Sequence, residues 1–260
     1  MKRPFLSILF VLCIFSLLSK EAFPKQTEAA ELSAREIVKR SDDLMRGDTQ
    51  QGTYIMTIIT PQWKRRLEIA FAGKDRDKMF LRILSPAKEK GTATLRIGNE
   101  MWNYLPSVER VIKIPPSLML QPWMGSDFAN DDLVKESSVV NDYTHEITAE
   151  EIIDKEPAYK ITLLPKPRAA VVWAKRVMWI NKNDFTPIRD EYYGKGGKLI
   201  KVLRYSQVKK VGDRRIPTRW EMVSIIKEGR FTIIEVTDNV VYNKSIGRNV
   251  FTLQNLRKGL

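Results

Sequence analysis

Reactive side chains are few in this chain of 260 residues, and their spacing decides which chemistry is open to it. His145, the single histidine, sits in "YTHEIT". To act as a general base it would need a nucleophile within hydrogen-bond reach, and to hold a metal it would need further ligands. The sequence has no second histidine, no G-x-S-x-G and no H-E-x-x-H, and its one cysteine, Cys13, lies in an apolar N-terminal run. His145 is therefore expected as an exposed strand residue. The carboxylates of "SDFANDDL", Asp127, Asp131 and Asp132, superficially suggest calcium. They lack the glycine and closing glutamate of an EF-hand loop, so helix capping and salt bridges to basic neighbours are the expected roles. "GKGGK" has neither the spacing of a phosphate loop nor an apolar helix after it, and reads as a turn. The expectation is a protein without catalytic residues, metal or cofactor: a non-enzyme.

The unusual residues are instead large, soft and apolar. There are 6 Trp and 9 Met, and "PPSLMLQPWMGSDFANDDLV" (115 to 134) gathers Leu118, Met119, Leu120, Trp123 and Met124 among prolines before turning acidic. Without charges to hold them in water, these side chains need an apolar cover or must themselves supply one. Methionine is flexible and polarizable enough to accept guests of variable shape.

Several elements must position that stretch. "SAREIVKRSDDLMRG" (33 to 47) places Ser33 and Glu36 at capping-box spacing, puts Ile37, Leu44 and Met45 on one face with Val38 beside it, and stops at Gly47, as an amphipathic helix does. The period then switches to two. Strands are predicted at 52–60, 65–73, 77–84, 92–98, 100–105, 109–114, 143–153, 158–164, 173–181, 186–193, 198–206, 215–224 and 229–237, separated by turn signals such as "AGKDRD", "IGNE", "NKND" and "KEGR". So many short strands without strand-helix alternation argue for one strongly curved antiparallel sheet or barrel. The 28 or so residues before Tyr143 do not alternate. A connection of that length usually has a job, and it reads as a flap over the sheet with one or two short helical turns at Pro116 and before Pro122. The tail "NKSIGRNVFTLQNL" is expected to end in a short helix whose Val250, Phe251 and Leu253 plug one barrel end.

Residues 1 to 22 have the layout of a secretory signal peptide: Lys2 and Arg3, an apolar run from Phe5 to Leu18 too short to span a bilayer, then polar residues, with cleavage expected between 19 and 30. Cys13 would leave with it, so the mature fold would hold by burial and hydrogen bonding alone. The formal charge is +13, and removing Lys2, Arg3, Lys20 and Glu21 with residues 1 to 22 leaves +11. Such an excess attracts anionic lipid head groups or acidic partners. Nucleic acid is not expected, because the chain shows no RNP, KH or helix-turn-helix pattern.

The exported N-terminus, the helix "AREIVKRSDDLMRG" leading into "GTYIMTI", the segment "EMWNYLPSVERVIKI" and above all "MGSDFANDDL" resemble the LolA-like outer-membrane lipoprotein-sorting proteins of Gram-negative bacteria. The resemblance implies a mainly β fold with a few helices: a single half-open antiparallel β-barrel of about eleven strands over residues 31 to 260, closed by an N-terminal helix and a helical lid. It implies a periplasmic carrier or chaperone that binds acyl chains of lipoproteins or other lipids in an apolar cavity, for transfer toward the outer membrane. The alternative is a lipoprotein- or lipid-sensing module that acts through a protein partner or beside a membrane exporter. The implied partners are lipid or lipoprotein acyl chains, an inner-membrane transporter and an anionic membrane surface, met by a monomer. Face alternation lines the cavity with Leu67, Ile69, Phe71, Met79, Leu81, Ile83, Trp102 and Tyr104, under a lid of Leu118, Met119, Trp123, Met124 and Phe128. A one-residue slip in any strand would turn its set outward.

Overall fold

The computed structural model describes residues 32–135, 139–169 and 171–258, all within the compact unit Leu32–Leu260. The expected signal peptide with its cleavage region, and Cys13, lie outside the described residues.

Helix α1 (Ala34–Arg46) forms as its sequence dictates. The Ser33 hydroxyl accepts from the Glu36 amide at 3.2 Å, and Gly47, at φ 62°, returns its N–H to the Asp43 carbonyl at 3.0 Å. Arg214 donates to the carbonyls of Asp43 (2.6 Å) and Leu44 (2.9 Å), placing a cation where the helix dipole is negative. Ile37 and Val38 are fully buried, and Leu44 and Met45 pack against a second apolar cluster farther along the sheet.

The strands are β1 (Thr49–Ile59), β2 (Lys64–Lys74), β3 (Lys78–Ser85), β4 (Ala93–Ile97), β5 (Glu100–Leu105), β6 (Arg110–Lys113), β7 (Tyr143–Ile153), β8 (Glu156–Pro165), β9 (Lys175–Asn181), β10 (Pro187–Tyr193), β11 (Leu199–Val211), β12 (Arg214–Ser224), β13 (Phe231–Val236) and β14 (Val241–Tyr242). They form one antiparallel sheet in the order β6-β5-β4-β3-β2-β1-β13-β12-β11-β10-β9-β8-β7, with the short β14 on β1. The sheet is open and has fourteen strands, not about eleven. All thirteen predicted strands are present, and β14, only two residues long, gave no periodic signal.

Two consequences of this order matter. First, β13 pairs with β1, so the C-terminal strands continue the sheet begun by the N-terminal ones. Arg96 on β4 and Met178 on β9 stand eight strand spacings apart, roughly 38 Å in a flat sheet. They line a single cavity, so the sheet is strongly curled. Second, β6 and β7 are its two edges, and the non-alternating segment after β6 joins one edge to the other. That connection crosses the inner face.

The inner face carries two apolar clusters. One, under α1, joins Ile37 and Val38 to Tyr143, Ile161, Leu163 and Ile180; the other, larger one lies under the flap. Helix α3 (Leu253–Lys258) instead touches β4, β5 and β6 on the outer face, where Val250, Phe251 and Leu256 pack with Phe80 and Leu95. The tail therefore covers the back of the sheet and plugs no barrel end, and Leu253 is exposed.

Candidate functional site

The floor of the site comes from β2 and β3. Their register pairs Ile69 with Ile83 and Phe71 with Leu81, and directly opposed residues share a face. Leu67, Ile69, Phe71, Leu81 and Ile83 are buried in the large inner cluster, with Met79 packed against it at the rim. Ile69, Phe71, Met79 and Leu81 line a hollow of about 150 Å³ that opens at one end; Leu67 and Ile83 support it from within the cluster.

Trp102 and Tyr104 are the exception. Met101 is the fully buried inner residue of β5, so its neighbour Trp102 faces the other way. Trp102 pairs with Leu95, Leu95 with Phe80 and Phe80 with Ala72, which makes an apolar ladder on the outer face, with Tyr104 opposite Ala93. Both aromatics thus stand outside the cavity expected to hold them, because an apolar strand face need not be a cavity face. Helix α3 supplies the outer cover that makes the opposite parity favourable.

The other wall of the hollow comes from strands distant in sequence. Tyr54 on β1 stacks on Phe71 (ring centroids 3.8 Å) and meets Trp220 of β12 edge-on at 5.4 Å, and Trp220 meets Tyr205 of β11 at 6.2 Å. These four aromatics, with Met56, Met178, Leu203 and Ile234, face the same space. Sequence reasoning missed this half, although "YIMTI", "VMWI" and "KVLRYS" carry the period-two signal for it. Alternation gives faces within a strand, not which strands meet.

The roof is the flap. After short 3-10 turns at Pro116–Leu118 and Trp123–Gly125 it enters helix α2 (Asn130–Lys135). Trp123 and Phe128 are buried in the large cluster and line the hollow, Met119 and Met124 pack partly against it, and Leu118 is exposed. The Trp123 indole N–H donates to the Thr94 hydroxyl at 3.0 Å. The flap also holds itself together. The Asp131 amide donates to the Met119 carbonyl (2.8 Å), Asn130 to Gln121 (3.0 Å) and Trp123 to Phe128 (2.7 Å). Met124 (φ 49°) and Gly125 (φ 73°) are both left-handed, a conformation that costs a non-glycine residue about 1 kcal/mol and so must be held from outside.

What holds it is charge. Asp132 is buried against the ammonium of Lys201, accepts from the Trp173 indole at 3.1 Å and caps the Ala129 amide at 2.7 Å. Asp127 accepts from Arg230 (2.7 Å) and from the Thr232 hydroxyl (2.8 Å), and Arg65 donates to the Met124 carbonyl. The acidic run of the flap thus makes the capping and salt-bridge contacts expected of it. Among the described residues no group of three or more His, Cys, Asp or Glu is arranged to hold a metal.

One buried ion pair lies within the apolar lining. Arg176 of β9 pairs with Asp190 of β10 and donates to the Tyr192 hydroxyl at 3.3 Å. Burial opposes the guanidinium's charge, but Asp190 and Tyr192 more than offset it, so its pKa stands well above the ordinary value. The same burial pushes the Tyr192 hydroxyl up. Away from the flap's anchors, where β2 turns into β3, the mouth of the hollow is polar, bordered by Asp42, Arg46, Asp48, Lys74 and Arg76. His145 on β7 is partly buried, its Nε2 2.9 Å from the Val139 carbonyl, and burial lowers its pKa.

Comparison with known proteins agrees with this geometry. A family model described as "uncharacterized protein" matches residues 75–258. No curated protein matches the sequence. Among solved structures, a LolA superfamily protein from Nitrosomonas europaea is similar at 24% identity and TM-score 0.73, covering 86% of this chain and 99% of that one. A domain from Vibrio parahaemolyticus described as an outer membrane lipoprotein-sorting protein gives 22% and 0.76, covering 86% and 98%. A DUF1329 family protein from Desulfovibrio piger gives 23% and 0.77, covering 86% and 97%.

Proposed function

The chain belongs to the uncharacterized-protein family matched over residues 75–258 and has a LolA-like fold, and from these premises we propose that it is a periplasmic, non-enzymatic carrier of acyl chains. In this reading the curled sheet is a half-open barrel, the flap is its lid, and the cargo is a lipoprotein or another lipid moving toward the outer membrane. The protein works as a monomer, exported by its signal peptide and loaded by an inner-membrane transporter.

The observation that carries the reading is the apolar hollow between the sheet and the flap, lined by Ile69, Phe71, Leu81 and Trp220 and roofed by Trp123 and Phe128. At about 150 Å³ it is the size that admits one benzene ring in an engineered protein core, too small for a long acyl chain. Loading therefore requires Trp123 and Phe128 to withdraw and leave their places to the guest. At about 0.8 kcal/mol per buried methylene, a long chain repays that displacement by several kcal/mol while binding stays reversible.

Delipidated protein should take up a fluorescent fatty acid, and protein purified gently from cells should carry lipid detectable by mass spectrometry. Met79→Trp pushes a ring from the rim into the existing void, so it should weaken uptake by about tenfold or more, equivalent to about 1.4 kcal/mol, with the fold intact. A wild-type protein that takes up no fatty acid, or a Met79→Trp variant that takes it up undiminished, removes the cavity from the proposal.

A further inference from the structure

The antiparallel order sends the connections between strands to two opposite ends of the sheet, and these ends differ in composition. One end carries the connections 60–63, 86–92, 106–109, 166–174, 194–198 and 225–230; the other carries 75–77, 98–99, 154–155, 182–186, 212–213 and 237–240. The first set has eight basic and three acidic residues, the second three and six. Part of the chain's positive excess is therefore concentrated at one end.

At that basic end the connections touch in a continuous row. A methyl group on Gly91 would come within 3.2 Å of the Pro106 ring, and one on Gly229 within 3.1 Å of the Pro61 ring. Arg65 pairs with Glu89 at 3.1 Å, and the Ile225 amide donates to the Ile200 carbonyl at 2.9 Å, which ties 225–230 to the strand that follows 194–198. The tips of this row expose large apolar side chains: Trp63 at 44%, Ile225 and Ile226 at 49% each, and Val108 at 54%. Around them Lys195, Lys198 and Lys227 are exposed and make no ion pair with any described residue, and Lys88 and Lys90 stand beside them on the next tip. Trp63 carries the Arg65 guanidinium 5.5 Å from its ring. At the acidic end the exposed Ile97 and Ile152 sit on strands far apart in the sheet order, without such a row.

We infer that this row of hairpin tips docks on an anionic phospholipid membrane, with Trp63, Ile225 and Ile226 entering the interfacial layer while the lysines meet phosphate head groups. Isoleucine tips gain by leaving water, tryptophan favours the boundary between head group and hydrocarbon, and lysines on flexible stems reach anionic phosphates. The pattern is too basic to suit a basic partner and too apolar for a purely solvated face. The same end holds the flap's ties: Arg65 and Arg230, which grip Met124 and Asp127, lie at or beside the docking tips. A docked molecule thus presents the anchored side of its roof to the bilayer. The inference adds a surface to the carrier reading and does not need the cavity to be occupied.

Vesicle cosedimentation of the mature chain tests it. Binding is expected to vesicles of phosphatidylethanolamine with phosphatidylglycerol, weak binding to phosphatidylcholine alone, and a steep loss as salt rises. Trp63→Ser with Ile225→Ser and Ile226→Ser, and separately Lys195→Glu with Lys198→Glu and Lys227→Glu, should each weaken binding by about tenfold or more. Ile152→Ser, at the acidic end, should leave binding unchanged, and all variants should take up soluble fluorescent fatty acid like the wild type. No binding to phosphatidylglycerol vesicles, equal binding to phosphatidylcholine, or equal losses from Ile152→Ser would overturn the inference. A protein that binds vesicles but takes up no fatty acid would sink the carrier reading and leave the docking surface standing.

Discussion

Two of the segments that cover the sheet, the flap beside α1 on the inner face and helix α3 on the outer face, are held in different ways. Helix α3 lies flush on the outer face: Leu256 is fully buried among Ala72, Phe80, Ala93 and Leu95, and Arg82 closes its end by donating to the Asn255 carbonyl at 2.7 Å. The flap on the inner face spans an incompletely filled hollow and is held at its acidic end by Asp132 with Lys201 and Asp127 with Arg230. Lifting α3 exposes hydrocarbon that nothing replaces. On the carrier reading proposed above, lifting the flap exposes hydrocarbon that a guest chain would cover, and frees charges that water can solvate.

The largest test of this contrast is at the ties. Lys201→Met leaves the Asp132 carboxylate buried without its cation, and breaking a buried pair on one side costs about 3–5 kcal/mol. The loss should appear as a lower denaturation midpoint and faster hydrogen exchange across 118–133, and adding Asp132→Asn should restore part of it, because the amide removes the unpaired charge and keeps an oxygen that can accept from the Trp173 indole or the Ala129 amide. If exchange rises evenly over the whole sheet, the flap is not an independently released unit. The outer cover gives a matching experiment: Leu256→Ala should cost about 2–4 kcal/mol while leaving fatty-acid affinity of the folded protein unchanged. Reduced affinity in that variant would mean that the two covers are coupled through β3 and β4.

Why one cover was legible in the sequence and the other was not follows from the same physics. The strands were readable because alternation in "RLEIAFA" and "KITLL" is a local property, and α1 because Ser33, Glu36 and Gly47 are local punctuation. The flap was readable from a failure of alternation together with its greasy residues. Its ties were readable only in kind: Asp127 and Asp132 ask for cations, yet nothing local selects Arg230 and Lys201 from 44 basic residues. The aromatic wall of Tyr54, Tyr205 and Trp220, and the outward turn of Trp102, both depend on long-range pairing, of β13 with β1 and of α3 with β4 and β5. Period two fixes which side chains share a face; it does not say which face has a hollow.

The smallest expected effect concerns the far end of the flap's connection, where His145 of β7 holds the Val139 carbonyl at 2.9 Å. Burial lowers its pKa below the ordinary 6.5, and the nearby Arg35 and Lys166 act in the same direction against the raising effect of the Val139 contact. Below 6.5 the unfolded chain therefore takes up a proton before the folded one does. The stability associated with neutral His145 is complete above 6.5 and declines as pH falls through and below that value. The denaturation midpoint should be lower at pH 5.5 than at pH 7.5, and His145→Gln, whose amide can still donate to Val139 but does not titrate, should shrink that difference. An unchanged difference in the variant would show that other groups set the pH dependence and that this contact is no more than a strand-edge hydrogen bond, leaving the acidic ties to Lys201 and Arg230 as the ones that hold the roof.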